Sequence, residues 1–322
     1  MDYSELIADG GVFTRRRAID LGVEPAELAR WLRVGIVEAL RPGWYAVASR
    51  DPLVARAVKA GGVLSCVSAL SRFDGVWVPP GDGIHVRRSE HQHRKRRAAA
   101  KPMKSAMPAA AVKRAQHSQQ KPWADRTTRV TPRADGCAAF GFLSDPRRAV
   151  DGLREALACA ARCVSDEYLV AILDSVLHHK LLEREDLVEV FHGAPRRITR
   201  LLDELDENAG SGTESLVRFR LRALGMRVRT QVYFDEVGWV DLVVGDRMII
   251  ECDSKSHHLG AQYQVDRTRD LVSLTGGRVT VRLSYESVLF DWDTVEKQLR
   301  VLFRRRLHLT RKPVQKSPPT SA

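Results

Sequence analysis

Three acidic residues in the last third of the sequence have the types and spacing of ligands for a divalent cation. Asp241 and Glu251 lie on neighbouring predicted strands, and Asp253 follows Glu251 by two positions. If residues 245–247 form a hairpin loop, Asp241 faces Glu251 with the two Cβ atoms about 5 Å apart. Facing carboxylates repel each other unless a cation neutralises them, and hard oxygen ligands suit Mg²⁺ or Mn²⁺. We therefore predict a Mg²⁺ or Mn²⁺ site at Asp241 and Glu251; the alternative is a solvated sheet face with incidental acids.

Further side chains near this pair could take part in catalysis. Glu214 lies in the first turn of a predicted helix, 214–224, on the face of its apolar residues, although an acid there can also serve the helix dipole alone. Lys255 has the strand parity of Glu251, and His257 follows it. The chemistry would be metal-assisted phosphodiester hydrolysis, in which Lys255 or His257 orients the attacking water or neutralises the transition state. For Lys255 the alternative is a surface lysine without a role.

Several short segments of residues 211–308 form a pattern in combination. They are Val240-Asp241-Leu242, Ile249-Ile250-Glu251-Cys252-Asp253, His257-His258, Asp266-Arg267-Thr268-Arg269-Asp270 and Arg278-Val279-Thr280-Val281-Arg282-Leu283. Together they resemble PD-(D/E)XK nucleases, most of all the relatives of very-short-patch-repair endonucleases. The resemblance implies a metal-dependent DNA endonuclease in defence or repair. Because Asp253 stands where the family pattern has lysine, it implies Asp253 as a ligand or orienter, and His257 or His258 as the group that assists proton transfer.

The elements that would position these side chains are strands at 228–234, 238–244 and 248–253, and a final strand at 278–283. In the hairpin register, one sheet face is apolar and the other carries the acids. The apolar face has Val240, Leu242, Val244, Met248, Ile250 and Cys252, and the acidic face has Asp241, Val243, Ile249, Glu251 and Asp253. A slip by one residue would mix the two sets, so the partition supports this register. Val243 and Ile249 indicate that the acidic face is partly covered.

The first 48 residues predict a helix–turn–helix followed by a hairpin, which is the order of elements in a winged helix. Thr14 suits the N-cap of a helix at 15–21, and Pro25 suits the first turn of a second helix at 26–34. Short strands follow at 37–40 and 44–48, around a turn in which Gly43 accepts a positive φ.

Three glycine-containing segments carry a resemblance in this region. They are Gly11-Val12-Phe13-Thr14, Leu32-Arg33-Val34-Gly35 and Arg41-Pro42-Gly43-Trp44-Tyr45-Ala46, continued by Gly62-Val63-Leu64-Ser65-Cys66-Val67-Ser68-Ala69. The region resembles the N-terminal domain of AbiEi-type antitoxins over roughly the first 90 residues. The resemblance implies DNA binding; a protein-contact module is the alternative.

The positive charge of the chain is concentrated in one segment. The formal net charge is +12, and residues 86–133 contain 14 Lys and Arg against two acids, so the remainder of the chain is neutral overall. Such a segment attracts polyanions through counterion release, although a solvated linker with incidental charge is the alternative. We predict nucleic-acid contacts from Arg15, Arg16, Arg30, Arg33 and Arg41, from Arg94, Lys95, Arg96 and Arg97, and from Arg267 and Arg269.

Composition and cysteine usage complete the expectation. No run of 18 apolar residues occurs, and five cysteines without a CxxC pair argue against a disulfide framework, so we expect a cytoplasmic protein with no membrane partner. Cys159 and Cys163, one helical turn apart, are expected to be core residues rather than metal ligands.

The predicted fold class is an α+β multidomain protein. It has a winged-helix-like DNA-binding domain at 1–88, a basic linker at 89–135, a helical connector at 136–210, a PD-(D/E)XK-like α/β core with a mixed sheet at 211–308, and a flexible tail at 309–322. The predicted function is a Mg²⁺-dependent DNA endonuclease acting on double-stranded DNA. The alternative is an antitoxin-like DNA-binding transcriptional regulator whose nuclease-type domain is inactive. The absent motif lysine favours it, and the intact Asp241, Glu251 and Asp253 oppose it. An RNA substrate and a homodimer are left open.

Overall fold

The computed structural model describes residues 4–89, 130–133, 136–141, 146–235, 237–253 and 274–310. The chain divides into two compact units, Met1–Glu207 and Asn208–Ala322. Several predicted site residues lie outside the described residues, as do most of the basic segment and of the C-terminal tail. These site residues are Lys255, His257, Arg94, Lys95, Arg96, Arg97, Arg267 and Arg269.

The first unit begins with the predicted winged-helix order. Its elements are α1 (Ser4–Ile7), β1 (Val12–Thr14), α2 (Arg15–Asp20), α3 (Pro25–Val34), β2 (Val37–Arg41) and β3 (Trp44–Val47). The three strands form an antiparallel sheet in the order β1-β3-β2. The helices and the hairpin agree with the prediction to within a residue, whereas β1 was not predicted.

Local chemistry explains where these helices begin and end. The hydroxyl of Thr14 accepts a hydrogen bond from the backbone N–H of Arg17 at 3.0 Å, which satisfies one of the free donors at the start of α2. Gly35 ends α3 with a φ of 78°, a left-handed conformation that glycine adopts without strain. The two helices and the sheet enclose a small apolar core that includes Phe13, Ala18 and Leu28.

The rest of the first unit is helical, with two short strands. Its elements are α4 (Pro52–Lys59), β4 (Val63–Leu64), α5 (Cys66–Leu70), β5 (Val86–Arg87), α6 (Leu153–Cys163), α7 (Asp166–His178), α8 (Arg184–Val190) and α9 (Arg196–Leu201). A 3₁₀ turn, Leu202–Glu204, follows α9. Strands β4 and β5 pair antiparallel.

The helices predicted as a connector, 136–210, share a core with the N-terminal segment. Ala149 lies in the same apolar cluster as residues of β3, α4 and β4, and its carbonyl accepts a hydrogen bond from the N–H of Leu64 at 2.9 Å. Arg87 donates to Asp151 at 2.6 Å and 2.7 Å, and both side chains are buried. The helical segment therefore packs within the first unit instead of forming a separate piece.

Both ends of the basic segment are attached to this unit. Val130 forms a parallel bridge with Gly81, and its N–H donates to the carbonyl of Pro80 at 3.0 Å. Cys137 bridges Arg87, and its N–H donates to the carbonyl of Val86 at 2.8 Å. The chain thus returns, after the residues that the structure does not describe, to the region from which it left.

The second unit is a mixed sheet with helices before and after it. Its elements are α10 (Gly212–Ala223), β6 (Val228–Phe234), β7 (Gly238–Val244), β8 (Met248–Asp253), β9 (Val279–Ser284), α11 (Tyr285–Phe290) and α12 (Trp292–Arg304). The strand order is β6-β7-β8-β9; the first three are antiparallel, and β9 runs parallel to β8. The mixed sheet is as predicted, and so is the hairpin register, in which Val243 pairs with Ile249 and Val244 with Met248.

Helix α10 is fastened to this unit by a buried arginine. Arg220 donates to the carbonyl of Val288 at 2.5 Å, and its guanidinium lies 4.7 Å from the centroid of the Trp292 ring. A buried guanidinium needs such partners, because its charge cannot be removed. These contacts hold α10 against α11 and the start of α12. Within the described part of the chain, no helix is both long enough and apolar enough to span a membrane.

Candidate functional site

The hairpin β7–β8 places Asp241 beside Glu251, as predicted from its register. An oxygen of Asp241 accepts a hydrogen bond from the backbone N–H of Cys252 at 2.8 Å. An oxygen of Glu251 lies 3.4 Å from the backbone nitrogen of Asp241, which donates to it. Val243 and Ile249, on the same face, are buried, which agrees with the expectation that this face is partly covered. Asp253, at the end of β8, is exposed.

Glu214 reaches the same face of the sheet from α10. It is buried, with 5% of its surface exposed, and its carboxylate accepts hydrogen bonds at 3.0 Å from the N–H of Gly210 and from the side-chain amide of Gln231. Burial, followed by the charge of Asp241, raises the pKa of Glu214. The structure therefore brings Glu214 and Asp241 close enough to influence each other, as the spacing of the apolar residues on the helix indicated.

Gln231 is a member of this site that the sequence reasoning missed. Its amide bonds to Glu214 and contributes to the environment of Asp241, and its backbone has a φ of 45°, in the left-handed region. The pairs Thr230–Leu242 and Val232–Val240 flank it, so Gln231 lies across the strand pair from Asp241. The same register argument that found Glu251 could have found Gln231.

Negative charge accumulates at this site. Burial raises the pKa of Asp241, and the charge of Asp253 acts in the same direction. Hydrogen bonds with Cys252, Glu251 and Gln231 oppose this rise. The net shift is upward, because the stabilising hydrogen bonds do not fully offset the desolvation of the carboxylate.

The acids nevertheless do not form a closed set of metal ligands. Among the described residues, Glu214, Asp241, Glu251 and Asp253 supply no group of three whose ligand oxygens all lie within 4.8 Å of one another. The carboxylates of Glu214, Asp241 and Glu251 accept hydrogen bonds from the backbone instead. The residues fit a hard cation in type, while their arrangement would have to tighten to hold one.

The winged-helix segment presents a different kind of surface. Helix α3 buries Leu28 and packs the half-buried Trp31 and Leu32 against the small core. Ala26, Ala29, Arg30 and Arg33 lie on the exposed opposite face, which also includes Val34 at the end of the helix. At 3.6 residues per turn these four positions fall within one narrow stripe. Arg30 and Arg33 make no ion pair with any residue that the structure describes.

The other basic residues of this segment that were predicted to contact nucleic acid differ in their exposure and in their contacts. Arg15 and Arg16, at the start of α2, are exposed, and Arg16 lies 3.8 Å from Asp20. Arg41 is half-buried: it donates to the carbonyl of Gly62 at 3.3 Å, and it lies 4.9 Å from the centroid of the Trp44 ring. Burial lowers the pKa of Arg41. The hairpin turn therefore exposes Pro42 and Gly43 at its tip rather than a free cation.

Comparison with known proteins gives one finding, and it concerns this segment. Residues 1–48 match the protein family described as transcriptional regulator, AbiEi antitoxin. A search of curated proteins finds no match to the chain. The match covers β1 to β3 with both helices of the helix–turn–helix, and it agrees with the resemblance seen in the glycine-containing segments.

Proposed function

We propose that this chain is a DNA-binding regulator of the antitoxin type, which contacts duplex DNA through the exposed face of α3. The observation that carries the proposal is the uninterrupted stripe of Ala26, Ala29, Arg30 and Arg33 on the second helix of a winged helix. The match of residues 1–48 to a family of transcriptional regulators supports it.

The chemistry of this stripe suits the major groove. The second helix of a helix–turn–helix lies in that groove, with its side chains against base edges and phosphates. Alanine side chains let the helix backbone approach the bases closely, and arginine can bind guanine through two hydrogen bonds or a phosphate through its charge. Arg15 and Arg16 at the start of α2 add cations for the flanking phosphates.

The first experiment measures DNA binding by the full chain. Fluorescence anisotropy with labelled duplexes, first of mixed sequence and then of selected sequence, should give a dissociation constant that weakens steeply with salt. Binding should fall when Arg30 and Arg33 are both changed to alanine. A folded protein that binds no duplex at low salt would overturn the proposal and favour the protein-contact alternative. The exposed Val34, at the end of α3, and Ile36, which follows it, would then be the surface to test.

We propose a second candidate function for the second unit: Mg²⁺- or Mn²⁺-dependent DNA endonuclease activity in a PD-(D/E)XK-like core. The specific observation in its favour is that Asp241, Glu251 and Glu214 meet on one face of a mixed sheet. Asp241 and Glu251 would hold the metal, which would supply an activated water and stabilise charge on the phosphate. This function has less support than the regulator, because the acids are not gathered as a closed ligand set and the motif lysine is replaced by Asp253.

The nuclease proposal is tested separately from DNA binding. Supercoiled plasmid is incubated with the full chain and Mg²⁺ or Mn²⁺, with EDTA as the control. Asp241→Asn should abolish cleavage, whereas Asp235→Asn, an exposed acid near the turn between β6 and β7, should not. If the wild-type protein binds DNA but cuts neither DNA nor RNA with either metal, the regulator function stands alone.

A further inference from the structure

Four side chains of the first unit converge at a place that neither proposed function uses. They are Cys66, His85, Cys137 and Cys163, and their ligand atoms all lie within 4.8 Å of one another. Cys66 begins α5, His85 directly precedes β5, Cys137 pairs with β5, and Cys163 is the last residue of α6. Four separate parts of the chain therefore each contribute one potential ligand.

Two distances within this cluster are close to those between ligands around a tetrahedral metal. The sulfur atoms of Cys137 and Cys163 are 3.6 Å apart, and the sulfur of Cys137 lies 3.5 Å from Nδ1 of His85. Zinc bonds of about 2.3 Å to sulfur and about 2.1 Å to nitrogen at tetrahedral angles give separations of about 3.8 Å and about 3.6 Å. A disulfide needs only about 2.05 Å between sulfurs, and all of these cysteines are free.

The surroundings offer these groups little else to bind. Cys66, His85 and Cys137 are each no more than 1% exposed, and Nε2 of His85 has no hydrogen-bond partner among the described residues. Cys66 has a φ of 52°, a conformation that L-residues avoid without compensation. Gathering buried polar groups at a strained position is costly, and a bound cation would offset that cost.

We propose that Cys66, His85, Cys137 and Cys163 bind a structural zinc ion. Three thiolates and one imidazole form a closed four-ligand set of the kind that holds zinc for stability and leaves no position open for a substrate. The ion would join α5, β5, the residues around Cys137 and the end of α6.

The sequence alone did not reveal this site, because the four residues are far apart along the chain and form no CxxC pair. Under this proposal, Cys163 is a metal ligand rather than the core residue that the sequence led us to expect. Cys159, one turn earlier on α6, is fully buried and is not a member of the cluster. It therefore provides a control on the same helix and with the same side-chain chemistry.

The test uses the full chain, purified under reducing conditions without chelators or metal-affinity resin. Elemental analysis should find about one zinc ion per chain. Cys137→Ser and Cys163→Ser should lose this zinc, whereas Cys159→Ser and Cys252→Ser should keep it. Removal of zinc from the wild-type protein with a strong chelator should lower its melting temperature, because the ion would bind only the folded state.

A second measurement does not depend on whether the variants fold. After zinc removal, the wild-type protein is titrated with Co²⁺ alone. The expected spectrum has the charge-transfer bands of thiolate ligands and the intense visible bands of tetrahedral cobalt. The proposal is overturned if the wild-type protein carries no zinc and neither Zn²⁺ nor Co²⁺ is taken up by the reduced chain. A spectrum of octahedral cobalt without thiolate bands, or a disulfide between Cys137 and Cys163 in place of the metal, would overturn it as well.

Discussion

Replacing Arg30 and Arg33 together by alanine tests the DNA-binding face of α3 most directly. Both side chains are exposed on one stripe and make no ion pair with a described residue, so their loss removes no contact that the fold needs. Alanine is also at least as favourable as arginine in a helix. We therefore expect the variant to keep the wild-type melting temperature and to bind DNA more weakly.

The size of the effect follows from counterion release. Each phosphate contact contributes about 0.9 to the slope of log affinity against log salt, so two lost contacts reduce the slope by about 1.8. Between about 50 mM and about 200 mM salt, the affinity advantage of the wild-type protein over the variant should then shrink by about 12-fold. If one arginine reads a guanine instead, the slope falls by only about 0.9 and roughly 1–3 kcal/mol of sequence discrimination is lost.

The assay is fluorescence anisotropy on one labelled duplex across a salt series, with Arg196→Ala/Arg200→Ala as the control. These two arginines are exposed on α9, and their replacement removes the same charge. The reasoning fails if both double variants change the slope equally, because the effect would then come from net charge alone. An unchanged slope and affinity in Arg30→Ala/Arg33→Ala would exclude α3 as the contact surface.

Three further predictions concern other parts of the chain. Asp241→Asn should raise the melting temperature of the metal-free protein at neutral pH, relative to Asp235→Asn. Because the pKa of Asp241 is raised in the folded protein, the folded state holds this proton more tightly than the unfolded chain does. The wild-type protein therefore loses stability as the pH rises above the ordinary carboxyl pKa of about 3.9, and the gain from Asp241→Asn should vanish in thermal melts below that pH. Asp151→Asn should destabilise the first unit by about 3–5 kcal/mol in urea unfolding, since it leaves Arg87 buried without its counter-charge; an effect below about 1 kcal/mol would contradict this. Replacement of residues 90–129 by a short Gly/Ser linker should lower the salt slope of DNA binding, and an unchanged slope would mark that segment as a passive connection.

The parts of the fold that the sequence predicted are those specified locally. Thr14 caps the start of α2 with its side chain, and Gly35 ends α3 because it has no side chain. Neither signal depends on distant residues. The alternation of residue types along β7 and β8 predicted the register that places Asp241 beside Glu251, because only one register separates apolar from acidic positions.

The parts that the sequence did not predict depend on partners far along the chain. The short strand β1 exists because it pairs with β3, and three residues are too few for a periodic pattern. The helices from α6 onward showed apolar faces, but such a face does not reveal that its partner is the core around Leu64. The same reason explains the cluster around His85, whose members come together only in three dimensions.

The bridges that hold Val130 to Gly81 and Cys137 to Arg87 change how the basic segment can act. A spacer between domains keeps its two ends apart, whereas this segment leaves the first unit after β5 and returns to the residues around that strand. A closed excursion of about forty residues can extend no farther than roughly 70 Å from its anchor points, even if fully stretched. Its positive charge consequently stays at a high local concentration around the unit that carries α3, as with a second binding module on a short tether. A proteolytic cut within it would leave both fragments held together by the core of that unit.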